Sequence, residues 1–200
     1  MPDVTLSTPM LILSIVAGVC LAASAGFRVF VPMLVAALAA RAGVLPLNNG
    51  LDWLSSDTAV AMLSIACIVE VAGFYVPWID HALDTIAVPG AVVAGSLLAT
   101  SQIGISNPSL AWVVGILAGG GSAGLIQLGT MFTRGVSLVT TGGIGNPIVA
   151  TAETAMAFIA SLLAIFVPIL AVFVVIAGAI GLIAWRRRRA QNFVPRRALA

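Results

Sequence analysis

The chain has 200 residues, of which 60% are hydrophobic and only 8% are charged, whereas about a quarter of the residues of a soluble domain carry a charge. A water-soluble fold cannot bury so large an apolar fraction. The mean hydropathy of +1.15 is also far above that of a soluble domain. The composition therefore excludes a soluble globular protein and predicts one integral membrane domain over residues 1–200.

The longest stretches without a charged residue are 4–27, 85–133 and 154–185. About 20 apolar residues cross a bilayer as an α-helix, so the second and third stretches are too long for one helix each. We expect Asn107-Pro108 to divide the second stretch and Pro168 to bend or divide the third, because proline has no amide hydrogen for a helix.

Two parts of the chain resemble each other. Residues 8–26 and 107–124 both begin with a polar residue and Pro, continue as an apolar helix and end in Ser-Ala-Gly. A second apolar stretch follows in each part, and later a helix with one glutamate, Glu70 or Glu153. This ordered series predicts a two-fold internal repeat, with copies over residues 8–101 and 107–186.

The repeat leaves two span counts open. One helix over residues 10–42 would be about 50 Å long, which exceeds the hydrocarbon thickness, so a break is expected near Gly26 or Gly124. The stretches 27–42 and 125–141 then either cross the membrane or re-enter it. Three spans per copy make the copies inverted and four make them parallel. We predict an all-α transmembrane bundle of about six spans, with broken or re-entrant segments and an inverted repeat.

Basic residues are concentrated after Trp185, where six of the nine arginines lie and the chain has no lysine. The positive-inside rule places this tail, residues 187–200, in the cytoplasm, and an even span count places both termini there. The basic run directly follows an apolar helix, which favours anionic lipid headgroups over nucleic acid as its partner. The expected headgroup contacts are Arg186, Arg187, Arg188 and Arg189.

Arg28 lies within apolar sequence, where an arginine costs on the order of 3 kcal/mol at the centre of a membrane helix. Glu70 and Glu153 are the natural partners, because a carboxylate is also costly in lipid. In one interpretation these charges line a polar cavity between the two halves. In the other, Arg28 reaches the membrane interface and the glutamates cap or pair with backbone groups.

Gln127 and Arg134 are seven residues apart, so they share one helix face and are expected to point into the same interior. The polar, glycine-rich segment 140–147 precedes the helix of Glu153. Such a segment lines a cavity if it lies at membrane depth, and is a simple loop if it lies among headgroups. Asn146 is therefore a candidate ligand for a substrate or ion.

Asp80 is expected to be the N-cap of the helix that follows it, with Asp84 one turn further along on the same face. One histidine, His81, between two aspartates is a weak metal signal, so we predict no metal. Nucleotide-binding loops, catalytic nucleophiles with a base and metalloprotease signatures do not occur in the sequence. We predict that the protein is not an enzyme and needs no cofactor.

Four stretches resemble a catalogued family: SAGFRVFVPMLVAALAARAG, VEVAGFYVPWIDHALDTIA, GGGSAGLIQLGT and TTGGIGNPIVATAE. They are similar to a bacterial membrane family described as domain of unknown function 4126, from about Leu11 to Trp185. The resemblance implies a compact multi-span protein of the bacterial inner membrane, and it implies no activity.

Two functions fit these features. The first is a small secondary transporter or lipid-type translocator with a polar intramembrane site at the junction of the repeats, in which one glutamate carries a proton. The second is a non-transporting scaffold or accessory subunit whose buried charges fix helix register. The substrate, an ion, small molecule or lipid, is not encoded in a motif, and a homo-oligomer is compatible with the sequence. The candidate site residues are Arg28, Glu70, Gln127, Arg134, Asn146 and Glu153.

Overall fold

The structure, a computed structural model, describes residues 8–167, apart from the side chains of residues 77, 78 and 80–82. Within this range every regular element is helical, which confirms the predicted all-α class for the described residues. The helices are α1 (Thr8–Ser24), α2 (Phe30–Arg41), a short 3₁₀ helix (Asp52–Ser55), α3 (Asp57–Gly73), α4 (Pro77–Gln102), α5 (Pro108–Thr141) and α6 (Asn146–Val167). Of the described residues, 8–165 belong to one compact unit, and Phe166 and Val167 belong to a second.

Within residues 8–167, three helices are long and apolar enough to cross a membrane: Leu83–Gln102 within α4, all of α5, and α6. The shorter helices α1 and α2 are also apolar. Large apolar side chains such as Phe132 and Val139 of α5 point outward and are exposed, as expected where lipid covers the surface. The chain is therefore an integral membrane protein. Pro168, the last predicted span and the basic tail lie outside the described residues.

The predicted break near Gly26 is present. α1 ends at Ser24, residues 25–29 form a turn, and α2 begins at Phe30. Gly26 is required by packing, because a Cβ there would lie only 2.5 Å from the carbonyl oxygen of Ala123 on α5. α2 has 12 residues and a length of about 18 Å, too short to cross the hydrocarbon core. Stretch 27–42 is therefore a broken segment and not a full span.

The break that was expected at Asn107-Pro108 is also present, since α4 ends at Gln102 and α5 begins at Pro108. The side-chain oxygen of Asn107 caps α5 by accepting hydrogen bonds from the amides of Ser109 and Leu110. No break occurs near Gly124, because α5 is continuous and stretch 125–141 is its second half. The glycines there do not interrupt the helix.

Close packing of α5 against α4 explains Gly119, Gly120 and Gly124. A Cβ on Gly95 of α4 would lie 2.5 Å from the Cβ of Ala123, and one on Gly120 would lie 2.5 Å from the Oγ of Ser96. Small residues at such positions let two membrane helices approach closely. Within this contact, residues Gly115–Gly120 form one π-helical turn of α5.

α4 begins earlier than predicted, and the expected cap at Asp80 is wrong. Val76 occupies the N-cap position and Pro77 the first helical position, where proline is favoured because its missing amide hydrogen is not needed. Asp80 is therefore inside the first turn of α4. Asp84 lies one turn further along the same helix, as expected.

Candidate functional site

Arg28 lies in the turn between α1 and α2 and is 1% exposed. Its Nε donates a hydrogen bond to Thr154 Oγ1 at 3.0 Å and its Nη2 to the carbonyl oxygen of Ala150 at 2.9 Å. The same Nη2 lies 3.5 Å from Glu153 Oε2. All three groups belong to α6, so Arg28 turns into the protein and does not extend to a membrane interface.

Glu153 is shared between two arginines. Its Oε1 accepts a hydrogen bond from Arg134 Nε of α5 at 3.1 Å, while its Oε2 faces Arg28. Arg134 also donates through Nη1 to Asp84 Oδ1 of α4 at 2.5 Å. Arg28, Asp84, Arg134 and Glu153 form one connected set, which we call the charge cluster, and it joins the α1–α2 turn to three helices.

Phe74, at the end of α3, lies against both arginines of the charge cluster. The Cζ of Arg28 is 3.7 Å from the centre of the Phe74 ring, and the Cζ of Arg134 is 4.4 Å from it. Both distances are within the range of a cation–π interaction. The ring is buried, so it helps to hold both guanidinium groups away from lipid.

Glu70 of α3 has a different role from Glu153. Its Oε1 accepts a hydrogen bond from the amide of Val29 at 2.7 Å, and its Oε2 accepts one from the amide of Phe30 at 2.9 Å. These amides are at the start of α2, where the first four N–H groups have no partner within the helix and the helix dipole favours a negative charge. The carboxylate of Glu70 therefore caps α2. This agrees with the second interpretation of the sequence, in which the glutamates cap or pair with backbone groups.

Gln127 and Arg134 both face the interior of the protein from α5, as their spacing predicted, and each is 2% exposed. Among the described residues, Gln127 Nε2 has no hydrogen-bond partner. The glycine-rich segment before Glu153 is a four-residue turn, residues 142–145, between α5 and α6. Gly142 and Gly143 have φ angles of +63° and +89° there, and Asn146 is the first residue of α6.

The sequence did not indicate Phe74 or the ion pair of Asp84. Asp84 and Arg134 are separated by 50 positions along the chain, and no local pattern links them.

In the part of the chain that the structure describes, no group of three or more His, Cys, Asp or Glu residues could hold a metal ion.

An apolar groove of about 470 Å³ lies between α3 and α4, beside the start of α2. We call it the α3–α4 groove. Met62 and Ile65 of α3 and Ile86 and Gly90 of α4 contribute to its walls. Glu70 and Phe74 also line it, so the groove is adjacent to the charge cluster.

The family model described as a domain of unknown function, DUF4126, matches residues 15–189. The chain belongs to this family. The matched range contains the whole charge cluster and the groove, so both belong to the DUF4126 part of the chain. No curated protein and no solved structure matches the chain significantly.

Proposed function

We propose that the protein is a small secondary transporter or lipid-type translocator, and that the charge cluster is its polar intramembrane site. The observation that supports this most is the sharing of Glu153 between Arg28 and Arg134. Ionisable side chains within membrane segments are costly, and they commonly mark ion or substrate pathways. A carboxylate between two guanidinium groups can exchange one partner for the other with small movements of the helices.

Glu153 is a better proton carrier than Glu70 in this proposal. Both oxygens of Glu70 accept hydrogen bonds from backbone amides of α2, so its protonation would release a helix start. Protonation of Glu153 would instead weaken its ion pairs with Arg28 and Arg134, while the hydrogen bonds of Arg28 to Thr154 and Ala150 would still hold the α1–α2 turn against α6. An anionic group of a substrate could then take the place of the carboxylate at Arg28.

The proposal includes six spans arranged as two inverted copies, with both termini in the cytoplasm of a bacterial inner membrane. In its support, the charge cluster draws on both copies: Arg28 and Asp84 come from residues 8–101, and Arg134 and Glu153 from residues 107–186. Transporters with internal repeats place their sites at the repeat interface. We propose further that the basic tail binds anionic headgroups.

Flux measurements on the full chain in lipid vesicles test this function. One reporter is a phospholipid with a fluorescent headgroup that a reductant quenches only in the outer leaflet, and the other is a pH-sensitive dye inside the vesicles. We expect the wild-type chain to accelerate lipid exchange or proton entry above protein-free vesicles, and Glu153→Gln to abolish it. Asp57→Asn, at an exposed ion pair with Arg41, is the control that should retain flux. Wild-type rates equal to those of protein-free vesicles with both reporters would refute the proposal.

A scaffold or accessory subunit is the second candidate, and the pairing of the charges favours it. Arg28, Asp84, Arg134 and Glu153 each contact an opposite charge, and both carboxylate oxygens of Glu70 are used in capping α2. Buried pairs of this kind can serve to fix one arrangement of helices. In that case Glu153→Gln lowers stability and abundance, and neither the wild-type chain nor the folded variant accelerates flux above protein-free vesicles.

A further inference from the structure

The α3–α4 groove has the size and chemistry of a ligand site. Its volume of about 470 Å³ falls within the range of about 300–1,000 Å³ that is typical of small-molecule pockets. Among the residues that the structure describes, Glu70 is the one charged residue in its wall, and both of its carboxylate oxygens already accept hydrogen bonds from α2. The rest of the lining is apolar, so the groove suits a hydrocarbon group and not a polar one.

One wall of the groove belongs to a helix that can cross the membrane. Its α4 wall belongs to the segment Leu83–Gln102, which is long and apolar enough to cross a bilayer. Residues 74–76 connect α3 directly to α4, so the α3 wall lies at the same depth. The side chains at the rim, Met62, Ile65 and Ile86, are apolar and exposed. Acyl chains, and not water, surround side chains in such a position.

An acyl chain is the occupant that this setting supplies. An empty groove would leave its wall atoms without dispersion contacts on one side, while acyl chains are present at high concentration at its mouth. A chain gains no hydrophobic energy by moving from the bilayer into the groove, because lipid tails are equally apolar. It enters to fill the space, and its headgroup stays at the membrane surface. We propose that the α3–α4 groove holds one acyl chain of a membrane lipid.

The inner end of the groove connects the lipid to the charge cluster. Phe74 lines the groove and also lies against the guanidinium groups of Arg28 and Arg134. A chain that reaches this end packs on the Phe74 ring and limits its movement. The lipid site requires no transport, so it goes beyond the function proposed above.

Photolabelling of the full chain in vesicles tests this site. The probe is a phosphatidylcholine with a photoreactive diazirine near the end of one acyl chain, and adducts are located by peptide mass spectrometry. Glu70 and Phe74 are 6% and 5% exposed, so a chain that stays outside the groove cannot label them. We expect adducts on these two residues in the wild-type chain, in addition to adducts on the exposed Phe132 of α5.

Gly90→Leu fills the groove. A Cβ at Gly90 would have its nearest neighbour, Val29 Cγ2, at 3.5 Å, which is an ordinary contact, so the variant should fold. Gly129→Leu is the matched control, because nothing lies within 4 Å of a Cβ at that position of α5. We expect Gly90→Leu to lose the adducts on Glu70 and Phe74 and to keep those on Phe132, whereas Gly129→Leu keeps all of them.

Two results would overturn the proposal. The first is labelling of Phe132 without any adduct on Glu70 or Phe74 in the wild-type chain, as expected if the groove is closed or covered by protein. The second is an unchanged pattern in Gly90→Leu. If that variant does not fold, Ala66→Leu on the α3 wall takes its place. Adducts in a chain without flux would support the lipid site and refute the transport function, so the two proposals fail separately.

Discussion

Replacement of Glu153 by Gln tests the energetic role of the charge cluster. The carboxylate faces Arg28 at 3.5 Å and Arg134 at 3.1 Å, and its side chain is 6% exposed. Removal of one partner from a buried ion pair typically costs about 3–5 kcal/mol, because the remaining charge is left uncompensated. Gln retains an oxygen that can accept from Arg134, so we expect the lower end, about 3 kcal/mol, which is more than a hundredfold in the folding equilibrium.

The assay is unfolding by sodium dodecyl sulfate in lipid–detergent micelles, followed by tryptophan fluorescence. Asp57→Asn provides the comparison, since its ion pair with Arg41 is exposed and such pairs contribute at most about 1 kcal/mol. Added salt should reduce the effect of Asp57→Asn and leave that of Glu153→Gln nearly unchanged, because buried pairs are screened much less. If the two variants lose equally little stability, the buried pairs do not stabilise the fold and the reasoning fails.

Three further substitutions test neighbouring features with the same unfolding assay. Phe74→Leu removes two cation–π contacts of about 0.5–2 kcal/mol each; a loss no larger than that of Phe132→Leu at the exposed surface would contradict this role. Glu70→Gln weakens the cap of α2 by about 0.5–2 kcal/mol, and its first amides should exchange hydrogen faster; unchanged exchange would argue against capping. Gly119→Val should cost about 1–3 kcal/mol, because its Cβ would lie 2.6 Å from a carbonyl oxygen of α4, whereas Gly121→Val has open space; equal losses would contradict the packing.

The sequence predicted those parts of the fold that depend on local chemistry. Asn107-Pro108 divides the apolar stretch because asparagine caps a helix start and proline suits its first position, and the length of the first apolar run required a break near Gly26. The sequence could not show that α5 continues past Gly124, because a glycine can end a helix in one packing environment and permit close approach of two helices in another. The start of α4 was misplaced because Asp80 is a good capping residue, while Pro77 as the first helical residue and Val76 as the N-cap put the start four residues earlier.

For the site, the cost of a charge in lipid was enough to name Glu70 and Glu153 as natural partners of Arg28, and it left open whether Arg28 reaches the membrane interface instead. The choice between the glutamates was not accessible, because it depends on where the first amides of α2 point. Glu70 meets those amides, and Glu153 meets the guanidinium groups. Phe74 was missed because nothing in a sequence distinguishes a ring that packs on cations from one that packs on aliphatic side chains.

The π turn of α5 changes which side chains lie on the same face of this helix. At about 100° per residue, an uninterrupted α-helix would place Ala111 and Gln127 about 160° apart, on opposite faces. Both are nevertheless buried, Ala111 against Ala99 and Ile103. The i→i+5 pattern of a π turn accommodates one additional residue and reduces that angle to about 60°. The π turn at Gly115–Gly120 thus shifts the buried face of α5 by one residue. As a result, small side chains at the start of the helix and the guanidinium group of Arg134 near its end both lie in the protein interior.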